Sequence, residues 1–249
     1  MQLRTIDTDC PPDGISLVVP AAGMATRMGH RLPKALIETS RGRLIEISTS
    51  NLIQYAKEII VVVSPHQQEQ FQSLVRSLGN IAPKFAIQEI PRGTADAVAI
   101  GLRSVTSPVS VVVWADHLGA RYFDLRFVWS LIRGNSWDIL VPVVYRNSPY
   151  AYFSISPNGT ISNFHETRHG AQEVQNGWSD CGVFIARTEV LRNAFLKSDS
   201  SDSTDVNFLS LFTRFQELGL NVQTIRLDDT RLTLGANTQS EIEDFLQVT

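Results

Sequence analysis

Apolar and polar positions follow one another along this chain in blocks that predict strands and helices in turn. Ile15 to Val19 reads as an apolar strand, and Glu58 to Val63 as a continuous strand of the kind buried on both faces. Between them Leu44 to Tyr55 predicts a helix, although Ile47, Thr49 and Ile53 are β-branched or carry restricted rotamers. Ser64, Pro65 and Gln67 form a capping box with proline at the first helical position. Phe71, Leu74, Val75 and Leu78 then recur at i, i+3, i+4 and i+7, one helical face turned to a sheet. The beat continues with a strand over Lys84 to Gln88, a helix from Thr94 and a strand over Val109 to Trp114. A helix carrying Leu125, Val128, Trp129 and Ile132 and a strand over Ile139 to Val144 complete it. Repeated units of this kind imply right-handed crossovers and a mostly parallel sheet covered on both sides.

After Val144 the rhythm changes. Two short strands, AYFSIS and TISNFH, flank Pro157, Asn158 and Gly159, a hairpin signal. Residues 166 to 179 are polar and irregular, and their length suits a loop over a ligand. Cys181 to Ala186 returns to an apolar strand, followed by a short helix with Val190, Leu191, Ala194 and Phe195. Residues 197 to 203 read as a surface loop. Phe208, Leu211, Phe212, Phe215 and Leu218 give a helical stripe, Asn221 to Leu227 a strand, and Ile242, Phe245 and Leu246 a terminal helix. The expected fold class is α/β, a Rossmann-like three-layer α/β/α sandwich with a mixed, mostly parallel central sheet and a small β-hairpin lobe. Residues 1 to 14 read as a tail, and 15 to 249 as a single domain with halves at 15 to 145 and 146 to 249.

Composition narrows the class. At 249 residues and 43% hydrophobic content the chain can bury a large core. A net charge of −3 argues against a nucleic-acid partner. Cys10 and Cys181 stand far apart without a C-x-x-C, so neither a disulfide framework nor a zinc site is indicated. No apolar run approaches membrane length and the first residues lack a signal h-region, which makes a cytoplasmic protein the expectation. Self-association into a homo-oligomer stays open.

The chemistry concentrates first at residues 18 to 34, VVPAAGMATRMGHRLPK. A strand empties into Ala21, Ala22 and Gly23, whose small side chains let backbone N–H groups approach an anion, and Thr26, Arg27 and Lys34 follow. This is a phosphate cradle, distinct from G-x-G-x-x-G and from a P-loop. The same run resembles the A-A-G-x-G-T-R-M and P-K signature of the sugar-1-phosphate nucleotidyltransferases, with Ala25 at the second family glycine. The resemblance extends over residues 15 to 245 and implies substrates of an NTP and a sugar phosphate, with Mg²⁺ as cofactor. By it, Arg27 and Lys34 are catalytic cations. Ala21, Ala22, Gly23 and Thr26 line the nucleotide, while Gln88 reads the base edge beside Gly93 and Thr94. Asp116, at the end of a strand, and Asn237, in LGANTQSEIED, are implied as the metal ligands. The second half becomes the acceptor half, with Tyr150, Glu166, Asp180 and Gly182 around the sugar. Thr204, Asp205 and Val206 shape the same pocket, and Arg168 or His169 is near the acceptor phosphate. Because the sequence ends just after the Asn237 helix, no left-handed β-helix with acyltransferase activity is expected.

Alone, each of these motifs has a plainer explanation: Asp116 as a turn residue, Asn237 as a helix cap, Gln88 to Thr94 as an ordinary helix start. His117 beside Asp116 reads more readily as a packing residue than as its partner. Two other functions remain open at this point. One is a cytidylyltransferase for a polyol phosphate, phosphocholine or molybdopterin; the other is a regulatory subunit that binds nucleotide-sugar without catalysis.

Overall fold

Both faces of strand β1 (Ile15–Pro20) are apolar, and this puts it at the centre of the sheet. Leu17 and Val19 enter one buried cluster and Val18 the other, the alternation a strand imposes. The computed structural model describes residues 14–23, 32–76, 78–132, 136–167, 170–197 and 206–247. After β1 comes a small hairpin, β2 (Glu38–Thr39) and β3 (Gly42–Arg43), then α1 (Leu44–Thr49) and β4 (Ala56–Val63). Next are α2 (Gln68–Leu74), β5 (Lys84–Ile87), α3 (Gly93–Leu102), β6 (Val109–Val113), α4 (Leu125–Leu131) and β7 (Ile139–Asn147). The rest of the chain contributes β8 (Ala151–Ile155), β9 (Ile161–Glu166), β10 (Asn176–Asp180) and β11 (Val183–Arg187). It closes with α5 (Thr188–Lys197), α6 (Leu211–Glu217), β12 (Val222–Leu227) and α7 (Gln239–Gln247).

Among the described residues the main sheet has ten strands, in the order β5-β4-β1-β6-β11-β7-β10-β8-β9 with β12 also on β7. Strands β5, β4, β1 and β6 are mutually parallel, and β12 is parallel to β7. The antiparallel pairings at β11, β10, β8 and β9 leave β1, β4, β5, β6, β7, β8 and β12 running one way, against β9, β10 and β11. The expected α/β class with a mixed, mostly parallel sheet and a hairpin is therefore observed. On one face lie α2 and α4, through Phe71, Val128 and Trp129; on the other lie α3, α5 and α6, through Val98, Leu191 and Phe212. Helices α1 and α7 meet in a third cluster around Ile47, Leu118, Ile242 and Phe245.

Several expectations need correction. The helix foreseen over 44 to 55 stops at Thr49 and resumes as a 3-10 turn, Ile53–Tyr55, because Ser48, Thr49 and Ser50 each bond back to carbonyls of the preceding turn and compete with the ladder. Helix α2 ends at Leu74, short of Leu78, although Phe71, Val75 and Leu78 are all buried as the stripe requires. The Ser64 capping box is present, but it starts a 3-10 turn, Pro65–Gln67, ahead of α2. The stretch read as a loop over 166 to 179 contains the beginning of β10, whose NGWSD sequence carries little strand signal. Pairing with the edge of β7 from Asn147 to Val143 makes it a strand.

Strand β12 occupies one edge of β7 over Ile139 to Val144, so β10 and β11 share the other. Asp180 pairs with Val143 and Ile185 with Leu140: five steps on one strand oppose three on its neighbour. Strands β10 and β11 are thus one track along β7, broken by a two-residue bulge at Cys181 and Gly182. Before the bulge its outer neighbour is β8; after it, β6. Bulges re-aim backbones beside functional sites, and this one splits the sheet into a fork at its upper rim.

The opposite rim is fastened by one buried carboxylate. Glu58, at the start of β4, accepts from Ser16 Oγ (2.6 Å), Thr106 N (2.6 Å), Thr106 Oγ1 (2.7 Å) and Lys84 Nζ (2.7 Å). Burial alone would push this carboxyl up, but donors from Lys84, Ser16 and Thr106 together bring it down to about 2 from 4.5. A carboxyl lowered by folding stabilises the protein fully above its unfolded value and loses that contribution as the pH falls through its folded value. We expect Glu58→Ala to cost about 3 kcal/mol at pH 7, because it strands the Ser16 hydroxyl and the Thr106 N–H. In urea melts, the gap from the parent should shrink as the pH drops from about 5 towards 2.

Candidate active site

The carboxyl ends of β1, β4, β5 and β6 all reach the same rim, where ligands of such sheets bind. There a cavity of about 690 Å³ opens, within the roughly 300–1,000 Å³ usual for small-molecule sites. Its wall includes Ala21, Ala22, Gly23, Lys34, Gln88, Gly93, Thr94, Asp116, Tyr150, Glu166, Asp180 and Asn237. The fork leaves this space between the end of β6 and the β8–β9 hairpin.

Lys34 starts a 3-10 turn after Pro33, anchored by the buried Ala35 and Leu36, and its N–H bonds to the Gly23 carbonyl at 3.0 Å. The cradle and the lysine are thereby drawn together. Thr26 and Arg27, with Ala25, lie outside the described residues. Lys34 Nζ donates to Asp116 Oδ2 at 2.5 Å and to Asn237 Oδ1 at 3.1 Å. Three residues from distant parts of the chain therefore meet at one ammonium. Asp116 follows β6, where Trp114 N bonds to Gly182 O (3.0 Å) and His117 N turns back to Trp114 O (3.1 Å). Burial presses its carboxyl upward, yet the Lys34 ammonium outweighs that and holds it below the ordinary aspartate value.

The side chain of Asn237 does not cap the helix that follows it. Thr238 Oγ1 accepts from Glu241 N, and Glu241 Oε2 accepts from the N–H groups of Asn237 and Thr238, a reciprocal cap for α7. This frees the Asn237 side chain, whose Nδ2 also reaches the Tyr150 hydroxyl at 3.4 Å.

A carboxylate and a carboxamide oxygen already converge on one cation, a donor set that suits a hard divalent ion taking its other ligands from phosphate and water. Among the described residues no group of three or more His, Cys, Asp and Glu forms a closed cage. His117 Nε2 lies 2.7 Å from the Leu232 carbonyl, to which it donates, so its packing role is real although its ring also lines the cavity.

On the side expected to take the nucleotide, Gln88 Nε2 donates to Gly93 O (3.1 Å) and to Asp96 Oδ2 (2.9 Å). Thr94 Oγ1 accepts from Phe208 N (2.8 Å), tying α3 to the segment after residue 205. On the other side Glu166 Oε2 accepts from Asn207 Nδ2 (3.3 Å), and Asp180 Oδ1 from Gly182 N (2.8 Å). Gly182 has φ +65°, and a Cβ there would lie 2.2 Å from His117 Cγ, so only glycine fits under that ring. Its N–H and C=O are both engaged within the protein. Arg168, His169, Thr204 and Asp205 lie outside the described residues, whereas Val206 bonds to Arg92 and Ala95. Trp114, Phe164, Asn207 and Leu209 also line the cavity without having been foreseen. Trp114 was legible only as the end of an apolar strand. Burial pushes the Cys181 thiol well up, with the Asp180 and Asp229 charges adding to it, so it is no nucleophile at neutral pH.

Most of the sequence that builds this rim, Lys34 and Asp116 included but Asn237 not, matches a known family. Residues 17–177 fit the profile of the MobA-like NTP transferase domain. The chain belongs to that family. It is also 24% identical over 237 residues to a bifunctional protein GlmU of Mycobacterium ulcerans, an alignment covering 91% of this chain and 48% of the relative. The chain thus spans about half the length of the curated relatives it matches first. A probable molybdenum cofactor guanylyltransferase of Natronomonas pharaonis is 30% identical over 146 residues, covering 54% of this chain and 69% of that protein. In fold, a putative glucose-1-phosphate thymidylyltransferase of Bacillus anthracis superposes with a TM-score of 0.73 at 14% identity, covering 93% of each chain. The family relationship read from AAGMATRM and the proline-lysine pair is borne out. This NTP transferase domain carries no described helix long and apolar enough to cross a membrane.

Proposed function

We propose that this domain transfers a nucleotidyl group from an NTP to a sugar 1-phosphate, releasing pyrophosphate, with Mg²⁺ as cofactor. The observation that carries the reading is the meeting of Lys34, Asp116 and Asn237 at the rim beside Ala21 to Gly23. A phosphate monoester, with its second pKa near about 6, is already ionised at neutral pH, so the nucleophile needs no general base. The barrier lies in bringing two polyanions together, which calls for positioning and charge neutralisation.

The Ala21–Gly23 turn would take the triphosphate backbone, with Arg27 on its β and γ phosphates. Lys34 would stand between the α-phosphate and the acceptor phosphate, within reach of both because its ammonium lies in the cavity wall. Asp116 and Asn237 would hold Mg²⁺, which when bound supplies Lewis-acid neutralisation of phosphate oxygens. Tyr150, Glu166 and Asp180 would border the acceptor, and the Asn207 amide sets the orientation of Glu166. A second reading, transfer to a phosphate acceptor that is not a sugar 1-phosphate, is favoured by the likeness to the probable molybdenum cofactor guanylyltransferase.

The test is pyrophosphate release with and without Mg²⁺ over ATP, GTP, CTP and UTP, crossed with hexose 1-phosphates, glycerol phosphate, phosphocholine and molybdopterin. We expect release only with Mg²⁺ and mainly with one sugar 1-phosphate. Release with a non-sugar acceptor alone would transfer the assignment to the second reading. Binding of nucleotide-sugar without turnover would make the chain a regulatory module.

A further inference from the structure

Gln88 is only 5% exposed and stands in the cavity wall at the end of β5. A carboxamide has two N–H donors, and in Gln88 both are spent: one on the Gly93 carbonyl at 3.1 Å, the other on the Asp96 carboxylate at 2.9 Å. Asp96 can only accept when ionised, so it fixes which end of the amide faces it. The remaining atom, Gln88 Oε1, has no donor among the described residues. Since Gln88 lines the cavity and its amide nitrogen is engaged, this acceptor oxygen is the part of the side chain left for a ligand.

We propose that Asp96 is a positioning residue for base selection: it locks Gln88 as a pure hydrogen-bond acceptor, so that the site takes a nucleobase presenting an N–H to this wall. The inference rests on the reading of the cavity as an NTP site and adds how the base is chosen. Gly93, at φ +88°, begins α3 and turns its carbonyl back to Gln88, so the lock is assembled from one short strand-turn-helix segment. A carboxylate in the first turn of a helix also favours the helix dipole by itself. The two roles separate experimentally, because a dipole effect is blind to which base is bound.

The experiment measures kcat/KM for ATP, GTP, CTP and UTP with the parent, Asp96→Asn, Gln88→Met and the double variant, each checked by thermal melting. Asparagine offers a donor as well as an acceptor, so Gln88 can turn over and present N–H to the base. We expect Asp96→Asn to compress the ratio between the preferred NTP and the next best by about tenfold, the size of one lost hydrogen bond. The change should lie in KM for the nucleotide, with KM for the acceptor unmoved. Adding Asp96→Asn to Gln88→Met should change the ratio no further, since there is then no amide to hold. Equal loss for all four nucleotides, an unchanged ratio, or effects that add in the double variant would overturn the proposal. If the parent turns over one NTP selectively and Asp96→Asn keeps that selectivity, this inference fails and the proposed function stands. If the parent uses no NTP at all, both fall.

Discussion

Lys34→Ala is expected to lower kcat by about two to three orders of magnitude while the protein folds normally, the loss typical of removing a charge partner of the transition state. The side chain is 16% exposed and touches two acceptors in the cavity, so its energy is spent at the site and not in the core. Removing it leaves the partly desolvated Asp116 carboxylate without its counter-charge, but that side chain is 36% exposed at the cavity, where water replaces part of what is lost. Stability should therefore change little. Pyrophosphate release under saturating substrates, with a thermal melt as control, decides the matter. Turnover within about threefold of the parent would remove Lys34 from the reaction.

Asp116→Ala should lose a comparable two to three decades of kcat, for a different physical reason. It deletes the carboxylate that, among the described residues, meets Asn237 at the lysine, and so the charged member of the proposed metal pair. Lys34 would then stay in place with Asn237 alone at 3.1 Å. The Mg²⁺ concentration for half-maximal activity should rise, which the lysine variant would not show to the same degree. Groups that act as a unit are strongly non-additive, so the double variant should be scarcely worse than either single one. Losses that multiply would mean that the two side chains serve separate steps.

Much of this arrangement is readable from the amino acids because the elements that carry it are strongly patterned. Strands β1, β4 and β6 are apolar on both faces, and the residues that follow them, Ala21 to Gly23 and Asp116, lie where parallel strands deliver their carboxyl ends. What escaped depends on pairing across the fold. NGWSD becomes β10 only against the edge of β7. Glu58 looks like a polar start to an apolar strand until Ser16, Lys84 and Thr106 close around it. Gln88 follows a strand and Asp96 lies inside the next helix, so neither period relates them, and they meet only because the turn at Gly93 folds the two together. Asn237 has the opposite history. Its sequence context suits a helix cap, and Thr238 with Glu241 takes that duty over.

The bulge at Cys181 and Gly182 has a consequence for how such a protein can change its diet. Because a single backbone track serves β8 on one side of the kink and β6 on the other, the β8–β9 hairpin proposed to border the acceptor joins the parallel strands of the sheet through β7 and that track. Phe153 and Ile161 of the hairpin are buried in the same cluster as Val18, Ile60 and Val112, but its outward-facing residues have no part in the register of β1, β4 and β6. Under the proposed function, acceptor preference is then set by a lobe whose outward-facing residues vary separately from the strands that carry Ala21 to Gly23.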